Sequence, residues 1–245
     1  MKVAILSDIH GNLEGLEAAL ADIAAHGITR IFCLGDVVGY GASPNECTAR
    51  IRSVVEANVL GNHDEVCLGR GRIEYFNSVA RMAALWTQGV MNPDTRAYLE
   101  AAPMTVPFSE NGMSALLVHA SPYFPEDWHY ILSEHDAMAA FGSCADSLIF
   151  VGHSHVPGIF LEVAGHVVHH RALTFQLQPG VRCLVNVGSV GQPRDGDPRA
   201  AYGLYDSESL QLTMKRIVYP VDGAQQRIIN AGLPASLANR LAVGR

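Results

Sequence analysis

No apolar run in these 245 residues approaches the roughly 18 that a membrane-crossing helix needs, so no membrane-spanning helix is expected. Paired cysteines are missing too: Cys33, Cys47, Cys67, Cys144 and Cys183 are odd in number, widely spread and free of any CxxC spacing. That pattern argues against a structural zinc ribbon or a dithiol redox site, and it fits a reducing, cytoplasmic location. Basic charge is scarce. Lys and Arg total 17 against 24 Asp and Glu, a formal net charge of -7. An extended nucleic-acid track is therefore not expected, because binding a phosphate backbone needs a basic surface. Internal repeats and low-complexity linkers are also lacking, so residues 1–245 are expected to share one core as one domain.

What is present is apolar and globular in balance, with 49% hydrophobic and 17% charged residues. The start, MKVAILSDIHG, has one lysine and a short apolar run broken by Ser7 and Asp8, which reads as a first strand and not as a leader. From there strand and helix alternate. Strands are expected at about 2–6, 30–34 and 58–60, with helices at 13–26 and 45–57, an order that favours parallel strands covered by helices. A helical stretch at about 74–101, broken near Pro93, reads as an insertion over the site, with Met82, Leu85 and Trp86 as its core or lid packing. From Ser114 onward short strands dominate: ALLV, LIFV, GIFLEV, HVVHH, ALTFQL, VRCLVNV, AYGLYD and LQLTMKRIVY. A C-terminal helical segment follows from about Asp222, interrupted by Gly232 and Pro234. Two sheets layered with helices outside satisfy the pattern.

The ends of the strands carry the chemistry. LIFVGHSHVPG, at 148–158, closes an apolar strand with His153 and His155. Residues two apart in extended backbone point the same way, so both imidazoles would converge on one small volume. Four other strand ends are similar: Ser7-Asp8-Ile9-His10, Gly35-Asp36, Gly61-Asn62-His63-Asp64 and His119-Ala120-Ser121. In α/β sheets ligands bind beyond the carboxyl ends of strands, so these residues can meet in one crevice.

Taken singly, each has a plainer explanation. Asp8 could cap a helix, Asn62 could hold a turn, and His119 could be a satisfied core histidine. Jointly these explanations are weak, because five strand ends would each carry a polar group that is costly to bury without a partner. Asp8, His10, Asp36, Asn62, His119, His153 and His155 offer imidazole, carboxylate and amide donors without thiolate, which suits Mn, Fe or Zn better than Ca. Seven donors exceed the needs of one catalytic ion and fit two divalent ions sharing a carboxylate. His26, His129, His135 and His166 lack such a context and read as solvated. His169 and His170 are adjacent in a strand, so at most one could face the site.

The ordered set DIH at 8–10, GD at 35–36, GNHD at 61–64, His119 and GHSH at 152–155 resembles the calcineurin-like metallophosphoesterase superfamily over about 150 residues. The resemblance implies a four-layer α/β/β/α sandwich of two mixed β-sheets flanked by helices, the metallo-dependent phosphatase fold. It also implies Asp8, His10 and His155 on one metal, Asn62, His119 and His153 on the other, and Asp36 bridging both. GDVVGYGASPNE at 35–46 and NVGSVGQPRD at 186–195 are similar to a branch that includes phosphodiesterases and diadenosine polyphosphate hydrolases, although Val187 stands where a proline is expected.

The expected reaction is hydrolysis of a small phosphodiester or dinucleoside polyphosphate by a metal-bridging hydroxide. A phosphomonoesterase or phosphoprotein phosphatase is the alternative, and a non-catalytic interaction scaffold is a reading from another class. His63 is a candidate to protonate the leaving oxygen or steady the transition state, with Asp64 or Asp36 orienting its ring. Arg194, and with it Asn62 and His63, are candidates for substrate binding; an ordinary surface arginine explains Arg194 equally. Tyr40 and Asn45 are close enough in sequence to Asp36 to line the pocket. A monomer and an interface through residues 74–101 or the C-terminal tail are both compatible with the chain.

Overall fold

Alternate residues of the first strand, β1 (Lys2–Leu6), face opposite ways, and here both faces are apolar. Val3 and Ile5 join one buried cluster while Ala4 and Leu6 join another, so β1 is covered on both sides. The computed structural model, which describes residues 1–170, 172–178 and 180–245, shows what covers it. After β1 come α1 (Leu13–Ala25), β2 (Arg30–Cys33), α2 (Pro44–Val54), β3 (Ala57–Asn58), α3 (Asn62–Cys67), α4 (Ser78–Val90) and α5 (Pro93–Glu100). Next are β4 (Thr105–Glu110), β5 (Met113–Val118), α6 (Glu134–Ser143), β6 (Leu148–Val151), β7 (Gly158–Val163), β8 (His166–His170) and β9 (Thr174–Gln176). The chain continues through β10 (Arg182–Asn186), β11 (Ala200–Asp206), β12 (Gln211–Ile217), α7 (Val221–Asn230) and α8 (Ala235–Leu241).

The strands form two mixed sheets, ordered β3-β2-β1-β11-β12-β9 and β4-β5-β6-β10-β7-β8. β1, β2 and β3 run parallel in the first, and β5, β6 and β10 run parallel in the second. Between the sheets lie Val3, Ile5, Phe32, Leu117, Phe150 and Tyr205. Leu16, Ile23, Ile51, Ile228 and Leu237 bring α1, α2, α7 and α8 onto the outer face of the first sheet. Ala137, Ala140 and Phe141 bring α6 onto Ile149, Val151 and Leu184 of the second. The result is the expected α/β/β/α arrangement. Among the described residues no helix is long and apolar enough to cross a membrane.

Segment 74–101 forms α4 and α5, but only its leading edge, around Phe76, Asn77 and Ala80, reaches the cleft described below. The rest packs on α2 and α3. Met82 and Leu85 are exposed, which corrects their reading as helix core, whereas Trp86 is half-buried. Small residues explain the difference: α4 buries Ala80, Ala83, Ala84 and Thr87, and that face permits close approach.

Candidate metal centre

Because β1, β2 and β3 are parallel, as are β5 and β6, the loops that follow them gather at one edge of the sandwich. Asp8, His10, Asp36, Tyr40, His153 and His155 all have φ between 49° and 64°, a left-handed backbone that is unfavourable for residues other than glycine. Hydrogen bonds between the loops hold it. Asp8 N–H donates to the Gly35 carbonyl at 3.1 Å, His10 N–H to that of Asp36 at 2.9 Å, and Gly152 N–H to that of His119 at 2.9 Å. His153 N–H donates to Asp8 Oδ2 at 2.9 Å. A Cβ on Gly152 would collide with Ser7 Oγ and Asp8 Oδ2, so only glycine lets β6 end this close to β1.

Three imidazoles are set by the same device. Nδ1 of His10 meets the Val38 carbonyl at 3.1 Å, that of His119 the Leu34 carbonyl at 2.7 Å, and that of His155 the Gln192 carbonyl at 2.6 Å. A carbonyl only accepts, so each Nδ1 carries a proton, and in His10 and His155, whose rings burial keeps neutral, Nε2 presents a lone pair. The lone pairs of His10 and His155 confront each other, while His119 Nε2 faces an amide oxygen. His10 Nε2 and His155 Nε2 are 3.1 Å apart, and His119 Nε2 is 3.1 Å from Asn62 Oδ1.

Asp36 Oδ2 lies 3.3 Å from His119 Nε2 and 3.6 Å from His10 Nε2, between the two groups; Asp8 Oδ1 is 3.2 Å from His155 Nε2. Asp8 Oδ1, Asp36 Oδ2 and His153 Nε2 are buried without a hydrogen-bond partner. Donor atoms of Asp8, His10 and His155 fall within 4.8 Å of one another, as do those of Asp36, His119 and His153. Buried acceptors facing acceptors repel unless a cation lies among them, and this donor set suits divalent ions.

Electrostatics agrees. Burial opposes ionisation of Asp8, but the neighbouring His155 and His119 imidazoles outweigh it and hold the carboxyl below the usual range. Asp36 is likewise held well below, against burial, by His119 and His63. Burial lowers His10 and His155, and takes His153 down to about 3. These are the ionised carboxylates and neutral imidazoles that cation binding requires. His119 differs: burial would lower it, yet the Asp36 and Asp8 carboxylates raise it to about 9.

The family profile described as the calcineurin-like phosphoesterase superfamily domain matches residues 1–209. The chain belongs to that superfamily. It is 39% identical over 244 residues to an uncharacterised protein of Methanocaldococcus jannaschii, covering 99% of this chain and 98% of that one. It is 25% identical over 215 residues to the phosphodiesterase YfcE of Escherichia coli K12, covering 86% of this chain and 91% of that one. The crystal structure of a metallophosphoesterase from Sphaerobacter thermophilus superposes with a TM-score of 0.85 at 38% identity, over 100% of this chain and 99% of that one. As a calcineurin-like phosphoesterase, the protein is a hydrolase of phosphate esters.

All seven candidate ligands of this phosphoesterase are buried at the one edge. His63 is there too, packed against His10, Tyr40 and Phe76 with ring centres 4.8, 4.3 and 4.5 Å away. Burial takes it to about 4, against the pull of Asp36. The expectation that Asp64 or Asp36 orients its ring is corrected. His63 Nδ1 has no partner, and Asp64 instead accepts Val38 N–H at 3.1 Å and Gly61 N–H at 3.2 Å while Asp36 Oδ1 accepts His63 N–H at 2.8 Å. Burial and the Asp36 charge push Asp64 up to about 7.

Arg194 is half-buried at the site's mouth, whereas Asn45 ties Val90 and Asn92 together and does not line the cleft. His169 and His170 pack on Phe160 and Phe175. Val187 uses the amide that a proline would lack, donating to the Val151 carbonyl at 2.9 Å.

Beside His63 and His153 opens a cleft of about 500 Å³ walled by Tyr40, Tyr75, Phe76, Trp128 and Tyr130. Tyr130 stacks on His153 at 3.9 Å, and Trp128 donates to Glu65 Oε2 at 3.1 Å. Tyr40 lines the cleft as expected from the sequence, but the rest of this wall was missed. For Trp128 and Tyr130 the signal is the aromatic run SPYFPEDWHY at 121–130, just after His119.

Proposed function

We propose that the protein is a dinuclear-metal phosphoesterase acting on a small phosphodiester or a dinucleoside polyphosphate. The observation that carries this reading is the facing of bare acceptors, above all His10 Nε2 against His155 Nε2 at 3.1 Å with Asp36 Oδ2 within reach of both groups. In this reading Asp8, His10 and His155 hold one divalent ion, Asn62, His119 and His153 hold a second, and Asp36 lies between them. Mn, Fe and Zn all suit these donors, and availability decides occupancy. Bound there, the ions supply Lewis-acid polarisation of the phosphoryl group and an activated water.

The chain's own residues do the rest. His63 hydrogen-bonds the leaving oxygen, and its low affinity for a proton favours a neutral ring that steadies the transition state over one that delivers a proton. Asp64 keeps α3, and so Asn62 and His63, in register with the Asp36 loop. The aromatic cleft receives the organic part of the substrate, because ring faces accept a planar group and exclude water. Relatives support the reading through the phosphodiesterase named among them.

Product analysis after Mn reconstitution tests it, with a phosphomonoester, a phosphodiester and diadenosine tetraphosphate as substrates against a metal-stripped control. Metal-dependent cleavage of the diester or the tetraphosphate is expected. Exclusive cleavage of the monoester would replace this reading with a monoesterase.

A further inference from the structure

Arg194 and Arg240 come from distant parts of the chain, the loop after β10 and helix α8, yet converge on one ring. Their guanidinium carbons lie 5.6 and 6.0 Å from the centre of Tyr40. Tyr40 in turn packs on His10 at 4.7 Å and His63 at 4.3 Å, so both cations stand beside the candidate metal centre. Main-chain hydrogen bonds build the pairing. Arg194 N–H donates to the His155 carbonyl at 3.2 Å, and Gly196 N–H to the Gly244 carbonyl at 2.9 Å, which ties the Arg194 loop to the turn after α8. That turn closes on Arg240: Val243 N–H donates to its carbonyl at 3.2 Å, and its own Nε–H donates to the terminal oxygen of Arg245.

Among the described residues neither arginine is paired with an Asp or Glu side chain, and Arg240 has only the terminal oxygen of Arg245 at its Nε. The acids nearest Arg194 in sequence are taken by others, Asp195 by Arg216 and Asp197 by Arg199 at 2.6 Å. Arg194 reaches Gln192 Oε1 at 2.9 Å, and its Nε is buried without an acceptor. Burial, together with the Arg194 charge, lowers Arg240 from the ordinary arginine range. Two guanidinium groups held beside one ring with no Asp or Glu side chain between them repel one another, and an oxyanion between them relieves that repulsion through charge-assisted hydrogen bonds.

We propose that Arg194 and Arg240 form a subsite for a second phosphate of the substrate, one that is not cleaved. The proposal rests on the phosphoesterase reading and narrows it to substrates with at least one phosphate beyond the scissile one. The aromatic cleft cannot serve that phosphate as well. Its rim carries Glu65, Glu126 and Asp127 against Arg72 alone, so a further anion is repelled there and directed past Tyr40 to the arginine side.

Calorimetric titration of the metal-loaded protein with AMP and ADP, which differ by one phosphate on the same nucleoside, tests the subsite. The wild type is expected to bind ADP about tenfold or more tightly than AMP. R240Q should lose most of that gap and R240K should keep part of it, with melting temperatures matching the wild type. Comparing the gap across variants cancels the metals' own preference for ADP. No gap in the wild type, or an equal gap in R240Q, overturns the subsite. Hydrolysis of bis(p-nitrophenyl) phosphate, which has a single anionic phosphate, is read in parallel. Turnover with an unmoved gap removes the subsite alone; a gap lost in R240Q without any turnover keeps the subsite and removes the activity reading.

Discussion

His63 sits among ligand candidates without sharing their geometry. Its Nδ1 has no hydrogen-bond partner, whereas the rings of His10, His119 and His155 are each pinned by a carbonyl. A residue that binds no ion but contacts the reacting group should be separable from metal loading. His63→Ala is therefore expected to retain its metals while kcat falls by about 10²–10⁴-fold, the usual range for lost acid–base or hydrogen-bonding assistance. Steady-state kinetics with metal analysis on the same sample checks this, and unchanged turnover at intact metal content contradicts it.

His119 gives a pH prediction of definite sign. Its affinity for a proton is raised from 6.5 to about 9 in the metal-free protein, so at pH 7.5 it is protonated there, and it must lose that proton to bind an ion. Metal affinity should rise with pH up to about 9, and loading at pH 7.5 should release a proton. Titration calorimetry in buffers of different ionisation enthalpy measures that release. A buffer-independent heat contradicts it.

Among the elements, what was legible in the sequence depended on length and periodicity. β1, β6 and the parallel order of the first half were readable because continuous apolar runs ended in polar clusters. β4 was missed because Pro107 interrupts it, and its place at the edge of the second sheet is where a strand tolerates proline. α3 is six residues long, too short for a helical period, so in the sequence Asp64 of its first turn looks like part of a strand end. α6 carries a sequence signal at its start: Ser133 and Asp136 form a capping box, with Asp136 N–H donating to Ser133 Oγ at 3.3 Å and Ser133 N–H donating to Asp136 Oδ2 at 2.9 Å. Ser133→Ala is expected to cost about 1 kcal/mol in urea unfolding without changing turnover, since α6 lies on the outer face of the second sheet. A stability equal to the wild type contradicts the capping account.

The candidate ligands were legible because each follows a strand end, whereas their partners were not. Gln192, Leu34 and Val38 act through main-chain carbonyls, which carry no residue signature. Arg240 is far from every motif in sequence, and only the folding of α8 brings its guanidinium to the Tyr40 ring.

Across the whole molecule, the site joins the two sheets. Asp8 and Asp36 come from the first sheet, His119, His153 and His155 from the second, and unpartnered carboxylate oxygens lie between them. Ions bound there would hold the layers together as well as serve chemistry, so chelation should lower the melting temperature, and readdition of Mn should restore it. A melting temperature indifferent to chelation contradicts that coupling.

The most direct measurement is the metal content of purified protein after reconstitution and desalting, taken on the wild type and on Asp36→Asn. The account predicts two divalent ions per chain in the wild type and fewer in the variant, which lacks the carboxylate placed between the two donor groups. A fully folded wild type that holds one ion or none, or a variant that still holds two, would contradict it.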